Sequence, residues 1–334
     1  MAADRVWYEL VERARWAPSP HNTQPWRIAV ISEDEAELHV PVDRLLPVED
    51  PDGRFMTAGM GLFLEALDLA AAAGGRALEW ECFYPDLGAG ASESSRFAQL
   101  ALRSRTRPSS FPADLLERRR TSRLPYDGRP APESALEVLS AEAAEVGHAA
   151  AFTSESDLVD WVVSLNADTV FYDLAEDDRR REIGAWTHPD DDAAGVRGDG
   201  FSPSCLGFHP AVVRAFFDAQ WLFRPPLVRA VARRLYLRSM RGTATVGWIK
   251  GPWRTPPEWL AAGRMLLRFW LAATAHGLYL QPFGSVITNP KAHARLAERL
   301  EVEEGDRELW LLLRIGYSAE PPRSARRSAG EIVA

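Results

Sequence analysis

Residues 15–30 read RWAPSPHNTQPWRIAV. This stretch sets three prolines, a Ser, a His, an Asn, a Gln and a Trp between a helix-like run and a strand-like run. Pro18 and Pro20 stop the helix, because a proline ring fixes φ and removes a backbone donor. Ser19, Asn22 and Gln24 then offer donors and acceptors from a stiff frame. A side-chain amide can bond both a carbonyl and an N–H of a planar heterocycle, so the turn suits recognition of a ring edge. The competing reading is a self-satisfied Asx-type turn with Trp26 as core.

Outward from this turn, residues 4–16 read as a helix with Val6, Leu10 and Ala14 or Ala17 on one face. RIAVIS and ELHV read as strands joined by SEDEA. VEDPDGR is a turn, 56–73 an apolar helix closed by Gly74-Gly75, and LEWECFYP and FAQLALRS are strands around the loop DLGAGASESS. SRTRPSSFPAD (104–114) lacks periodicity and reads as a linker. Beyond it the pattern predicts a helix over 133–146, a strand over 149–153 and one long helix within 155–182. An irregular loop over 187–210 follows, then an Arg- and aromatic-rich helix over 209–240 and an apolar helix over 257–276. GLYLQPFGSVI, a helix at 290–300, the strand WLLLRIGYS and a Pro/Arg-rich tail complete the chain. MGLFLEALDLAAAAGG (60–75) lies on AGRMLLRFWLAATAHG (262–277) without a gap, Gly61 on Gly263 and Leu69 on Leu271, which points to an internal duplication.

The chain has 334 residues, 46% hydrophobic and 26% charged, enough to bury a sizeable core. Its net charge of −8 disfavours a role in coating nucleic acid, though not a local arginine site for one small anion. Cys82 and Cys205 imply neither zinc nor a disulfide framework, and the seven histidines lack metal-ligand spacing. THPDDD reads as a solvated acidic run. The charged N-terminus lacks the apolar core of a signal peptide, and Glu65 and Asp68 interrupt the longest apolar run. The expectation is a cytoplasmic protein that binds neither nucleic acid nor membrane. There is no P-loop, GMGLFL lacks the third glycine of a dinucleotide fingerprint, and FGS lacks the frame of a nucleophile elbow. RRRTSR (118–123) and the tail arginines Arg323, Arg326 and Arg327 supply guanidinium forks that match phosphate oxygens.

Together these pieces resemble the nitroreductase-like flavoprotein family. The family's turn A-P-S-x-x-N-x-Q-P-W appears here as Ala17, Pro18, Ser19, Asn22, Gln24, Pro25 and Trp26. Its arginine motif R-R-S-x-R appears as Arg119, Arg120, Thr121 and Arg123. The resemblance implies an α+β fold with mixed or antiparallel sheets flanked by helices. It implies bound FMN, with Pro18, Ser19, Pro20 and Asn22 along the ring, the arginines on the phosphate, and Arg326 and Arg327 of the tail beside them. QPFG, with Gln281, Pro282 and Gly284, would run backbone past the flavin edge. The activity implied is two-electron reduction of a nitro, quinone or natural-product substrate, with NAD(P)H as transient donor. No side chain stands out as an obligatory acid or base.

The motif order is inverted, with the turn first and the arginines a hundred residues later. This resembles the Acg-like branch, in which one chain imitates the family dimer. The implied organisation is a first repeat over 1–104, a linker over 105–114 and a second repeat over 115–334, with a lid-like insertion at about 187–250. One FMN per chain and a monomeric pseudo-dimer follow. The alternative function is sequestration of an occluded flavin.

Overall fold

In the computed structural model, residues 2–106, 109, 111–218, 225–302 and 308–334 are described. The first half runs α1 (Ala2–Ala14), β1 (Arg27–Val30), β2 (Glu35–Val40), α2 (Arg54–Ala73), β3 (Arg76–Cys82) and β4 (Ser95–Ser104). The strands form one antiparallel sheet in the order β1-β2-β4-β3. The helix before the turn buries Trp7, Val11 and Ala14 completely. α2 is apolar on every side, which suits a helix surrounded by protein. It is long and apolar enough to cross a membrane, yet 83% of its most apolar window is buried inside the protein.

The second half holds α3 (Asp114–Arg118), α4 (Glu133–Ala144), β5 (Ala149–Thr153), α5 (Ser156–Asp173), α6 (Asp177–Ala185), α7 (Asp191–Arg197), α8 (Pro203–Leu206), α9 (Pro210–Asp218) and α10 (Pro226–Ser239). Then come β6 (Thr245–Gly251), α11 (Pro256–Ala275), β7 (Tyr279–Pro282), α12 (Gly284–Thr288), α13 (Pro290–Arg299), β8 (Glu308–Gly316) and α14 (Ala329–Ile332). Its sheet is also antiparallel, ordered β5-β6-β8-β7, the same succession as the first sheet. The fold is therefore α+β. The tail closes back on the beginning: Ala334 N–H donates to Ile28 O at 2.8 Å and Val30 N–H to Ala334 O at 3.3 Å. These bonds cover the β1 edge.

The two halves meet where α2 crosses α11. A Cβ on Gly61 would lie 2.2 Å from the Leu260 carbonyl oxygen, and one on Gly263 would lie 1.9 Å from that of Ala58. The contacts are reciprocal, since the spacing from 58 to 260 equals that from 61 to 263. Each glycine admits the other helix's backbone, as at an interface between two like surfaces.

Several expectations change. The helix expected within 155–182 breaks between Asp173 and Asp177 into α5 and α6. The loop expected over 187–210 contains two short helices. Asp190 Oδ1 caps α7 by accepting from Ala193 N–H, and Ser202 caps α8 through Cys205 N–H. Part of the acidic run is thus an N-terminal cap rather than only a solvated face. The single helix expected over 209–240 is α9 and α10, with Pro225 and Pro226 opening the second; residues 219–224 lie outside the described residues. The insertion boundary at 250 also shifts. Residues 245–251 are β6, a central strand of the second sheet. The connection longer than its counterpart in the first sheet spans 154–244, where β1 and β2 are joined by only 31–34. Part of the linker, residues 107, 108 and 110, is outside the described residues.

Candidate active site

The turn after α1 is strained. His21, Asn22 and Gln24 have φ of 47°, 57° and 49°, the left-handed region that L residues rarely enter. Asn tolerates it; His and Gln hold it at a cost of about 1–3 kcal/mol each. Local bonds impose the shape: Asn22 N–H donates to Ser19 O, Thr23 N–H to Pro20 O, and Gln24 N–H to Ser19 Oγ at 2.9 Å. His21 Nε2 lies 2.6 Å from Glu49 Oε2, facing away from a ligand role.

A cavity of about 60 Å3 opens beside this turn. Its walls include Pro18, Ser19 and Asn22 from the turn, Arg119, Arg120, Thr121 and Arg123 from the segment after α3, and Arg326 from the tail. These residues are up to three hundred positions apart in the chain, yet they share one wall. Trp16, Phe201, Arg323 and Ser324 complete the lining together with Pro322.

The arginines divide by how they are neutralised. Arg120 pairs with Glu320 at 2.8 Å and Arg323 with Glu117 at 2.8 Å. Arg119, Arg123 and Arg326 have no carboxylate partner among the described residues. Arg119 is 6% exposed and stacks over the Trp270 ring at 4.6 Å. Its Nη2 donates to Trp16 O at 3.2 Å, whereas Nε and Nη1 are buried with no partner. Arg326 donates through Nη1 to Asn22 Oδ1 at 2.8 Å and leaves Nε unpartnered. Arg123 lies over the Phe201 ring at 5.1 Å, and its Nη1 donates to Cys205 O. Burial, and then the charge of Arg326, pushes the Arg119 guanidinium down to about 9. Burial pushes Arg326 down to about 10 and lowers Arg123 as well. Buried N–H donors without acceptors are rare and costly. Arg119 and Arg326 carry such donors, and with Arg123 they set three cations without carboxylate partners among the described residues around one cavity, a site for an anion with several oxygens.

Other expected site residues lie elsewhere. Gln24 is fully buried and does not line the cavity. Its Nε2 donates to Gly198 O at 2.7 Å, and its Oε1 accepts from Arg327 N–H at 3.0 Å. Arg327 points to the carbonyls of Gln24, Trp26 and Glu331, so it braces the turn instead of facing the cavity. Pro20 packs toward Gly59 of α2. Gln281 Oε1 accepts from Arg314 Nε at 2.9 Å, inside the second sheet. The backbone at Leu280 meets Thr121 and Ser122, which seats the arginine segment on β7. Gln281, Pro282 and Gly284 do not line the cavity.

Gly198 and Gly200 of the connection close over the turn. Asn22 Nδ2 donates to Gly200 O and to Ala325 O, both at 3.0 Å, and Gly200 N–H donates to Asn22 O. Asp199, fully buried, takes Arg44 at 3.2 Å and His188 at 3.1 Å. The amides read from sequence as ring-edge donors are thus bonded to the insertion and the tail. Trp16 was readable within the opening stretch, since it abuts the turn. Phe201 sits in an unpatterned loop and gives no local signal.

A model of the nitroreductase family matches residues 5–74. The chain is 28% identical over 329 residues to "Putative NAD(P)H nitroreductase Rv3131" of Mycobacterium tuberculosis strain H37Rv, covering 95% of this chain and 88% of that protein. Among solved structures it is similar to the FMN and NADPH-dependent nitroreductase NfnB of sphigopyxis sp. strain HMH, with 18% identity, 66% of this chain and 97% of that one covered, and a TM-score of 0.39. NfnB of Mycobacterium smegmatis in complex with NADPH gives 16% identity, coverages of 63% and 92%, and a TM-score of 0.38. By the family match at its start and a relative aligned along nearly its whole length, the chain is nitroreductase-like.

Proposed function

We propose that the protein is an FMN-dependent oxidoreductase of the nitroreductase type, taking electrons from NAD(P)H and reducing a nitro, quinone or natural-product substrate. The observation that carries this reading is the trio of buried Arg119 and half-buried Arg123 and Arg326, without carboxylate partners among the described residues, around one cavity with Pro18, Ser19 and Asn22. A cavity of about 60 Å3 accommodates a phosphate-sized group. FMN would supply the two-electron chemistry, as cofactors do. The chain's own residues would hold its phosphate through Arg119, Arg123 and Arg326 and fix the approach to its ring through the strained turn.

The chain is best read as two fused copies, 1–104 and 115–334, joined by 105–114 and holding one FMN. The shared strand succession and the reciprocal glycine contacts support this. Purified protein should be yellow, with about one FMN released per chain on denaturation, and should consume NAD(P)H steadily when menadione or a nitroarene is supplied. A colourless protein that gains no visible absorption when mixed with FMN rejects the reading.

A second reading, sequestration of flavin, is favoured by the bonds from Gly198 and Gly200 to Gln24 and Asn22. A ring beside Asn22 requires this segment to move. Flavin reduced by dithionite and never by NAD(P)H would select sequestration.

A further inference from the structure

The second half carries a surface unrelated to the cavity. From Ala219 to Pro257 the sequence has no Asp or Glu and eight Lys or Arg, in a chain of net charge −8. α10 lies in this stretch. Its inner face meets α5: Asn166 Nδ2 donates to Tyr236 Oη at 2.9 Å, and Arg233 pairs with Asp168 at 2.6 Å. The opposite face is exposed among the described residues. Leu227, Val231 and Leu235 recur there at every fourth position, 76%, 52% and 46% exposed, with Val228 beside them. Arg234 and Arg238 fall on the same side by helical spacing and are exposed. Arg229, Arg234 and Arg238 have no carboxylate partner among the described residues. Residues 225–231 are exposed all round, so the first two turns stand clear of the protein body.

Single exposed apolar residues are ordinary, but four on one helix make a patch. We propose that α10 docks on the surface of an anionic membrane, with Leu227, Val231 and Leu235 in the headgroup–acyl boundary and the arginines on lipid phosphates. An apolar stripe flanked by guanidinium groups, on a helix that itself carries no carboxylate, is complementary to such an interface. Long arginine stems reach the headgroups while the helix lies in the plane. Nucleic acid fits less well, because the middle of the face is aliphatic and gives phosphates nothing to bond. The helix lies on the membrane and does not span it.

The test uses the full chain and sedimenting vesicles of phosphatidylcholine alone or mixed with phosphatidylglycerol. The protein should partition onto the anionic vesicles, hardly at all onto the neutral ones, and less as salt rises. The double change Arg234→Gln, Arg238→Gln should weaken partitioning about 25-fold, near fivefold for each charge. Leu227→Asn with Val231→Asn should weaken it too, and melting curves of both exposed-face variants should match the parent. Equal binding to both vesicle types, or anionic binding unchanged in the arginine variant, overturns the proposal. So does a concentration-dependent dimer broken by Leu227→Asn with Val231→Asn in protein that ignores vesicles, which assigns the stripe to a second copy of the chain.

Discussion

Arg119 shows what it costs to bury a guanidinium whose donors the protein does not answer. Its guanidinium is buried against Trp270 with two N–H groups unanswered, and its pKa falls from the ordinary guanidinium range to about 9. The unfolded chain keeps that proton at pH values where the folded chain lets it go. Folded stability therefore grows as pH rises above about 9, and the penalty is present in full at neutral pH. An anion in the cavity relieves it. Arg119→Met keeps the stem on Trp270 and removes the charge. Flavin-free protein carrying it should melt about 1.5 °C higher at pH 7, the shift from roughly 1 kcal/mol in a chain of this size. Its FMN affinity should fall at least about tenfold, the loss of one charge-assisted hydrogen bond. Thermal melts with and without FMN measure both, and a variant that melts lower without flavin refutes the account. At this scale the sequence announced the chemistry of the arginines and left the orientation of the amides open. RRRTSR announces guanidinium groups whatever the fold. Whether Asn22 and Gln24 face a ligand or the protein depends on Gly198 and Gly200, nearly two hundred residues away.

The helix crossing is the element on which the architecture turns. Gly61→Ala or Gly263→Ala drives a methyl into a backbone carbonyl on the facing helix, and that carbonyl cannot turn aside without breaking its own helix. Each change should destabilise by about 3 kcal/mol, the upper end for overpacking, whereas Gly75→Ala, with open space around it, should cost mainly its positive φ. Urea titrations of the three variants decide this; equal losses at 61 and 75 contradict it. Elements with long apolar runs, such as α2, α11 and β8, were legible because nearly every position in them is buried or apolar. β6 was not. Gly247 and Gly251 break its alternation, and the structure gives the reason: a Cβ at 247 would meet the Phe152 ring at 2.6 Å and one at 251 the His148 ring at 1.9 Å. Glycine here marks close packing in a central strand, and in sequence it imitates a turn. The helices of 187–210 were hidden by their shortness, although Asp190 and Ser202 are ordinary capping residues.

For the whole molecule, neither half of the chain contains both the turn and the arginines, and the motif order alone points to a site shared between them. The tail, read from sequence as part of the site, brings Arg326 to Asn22; what no local pattern supplied was its sealing of the β1 edge with Ala334. Both sheets are self-contained, one drawn from residues 27–104 and the other from 149–316. A cut in the peptide chain near residue 109 therefore severs no ladder. Expressed as two separate polypeptides, 1–106 and 111–334, the halves should reassemble through the glycine crossing. Neither piece should turn yellow alone, and mixing them with FMN should restore the colour, so that holding flavin becomes a reporter of two strangers recognising each other.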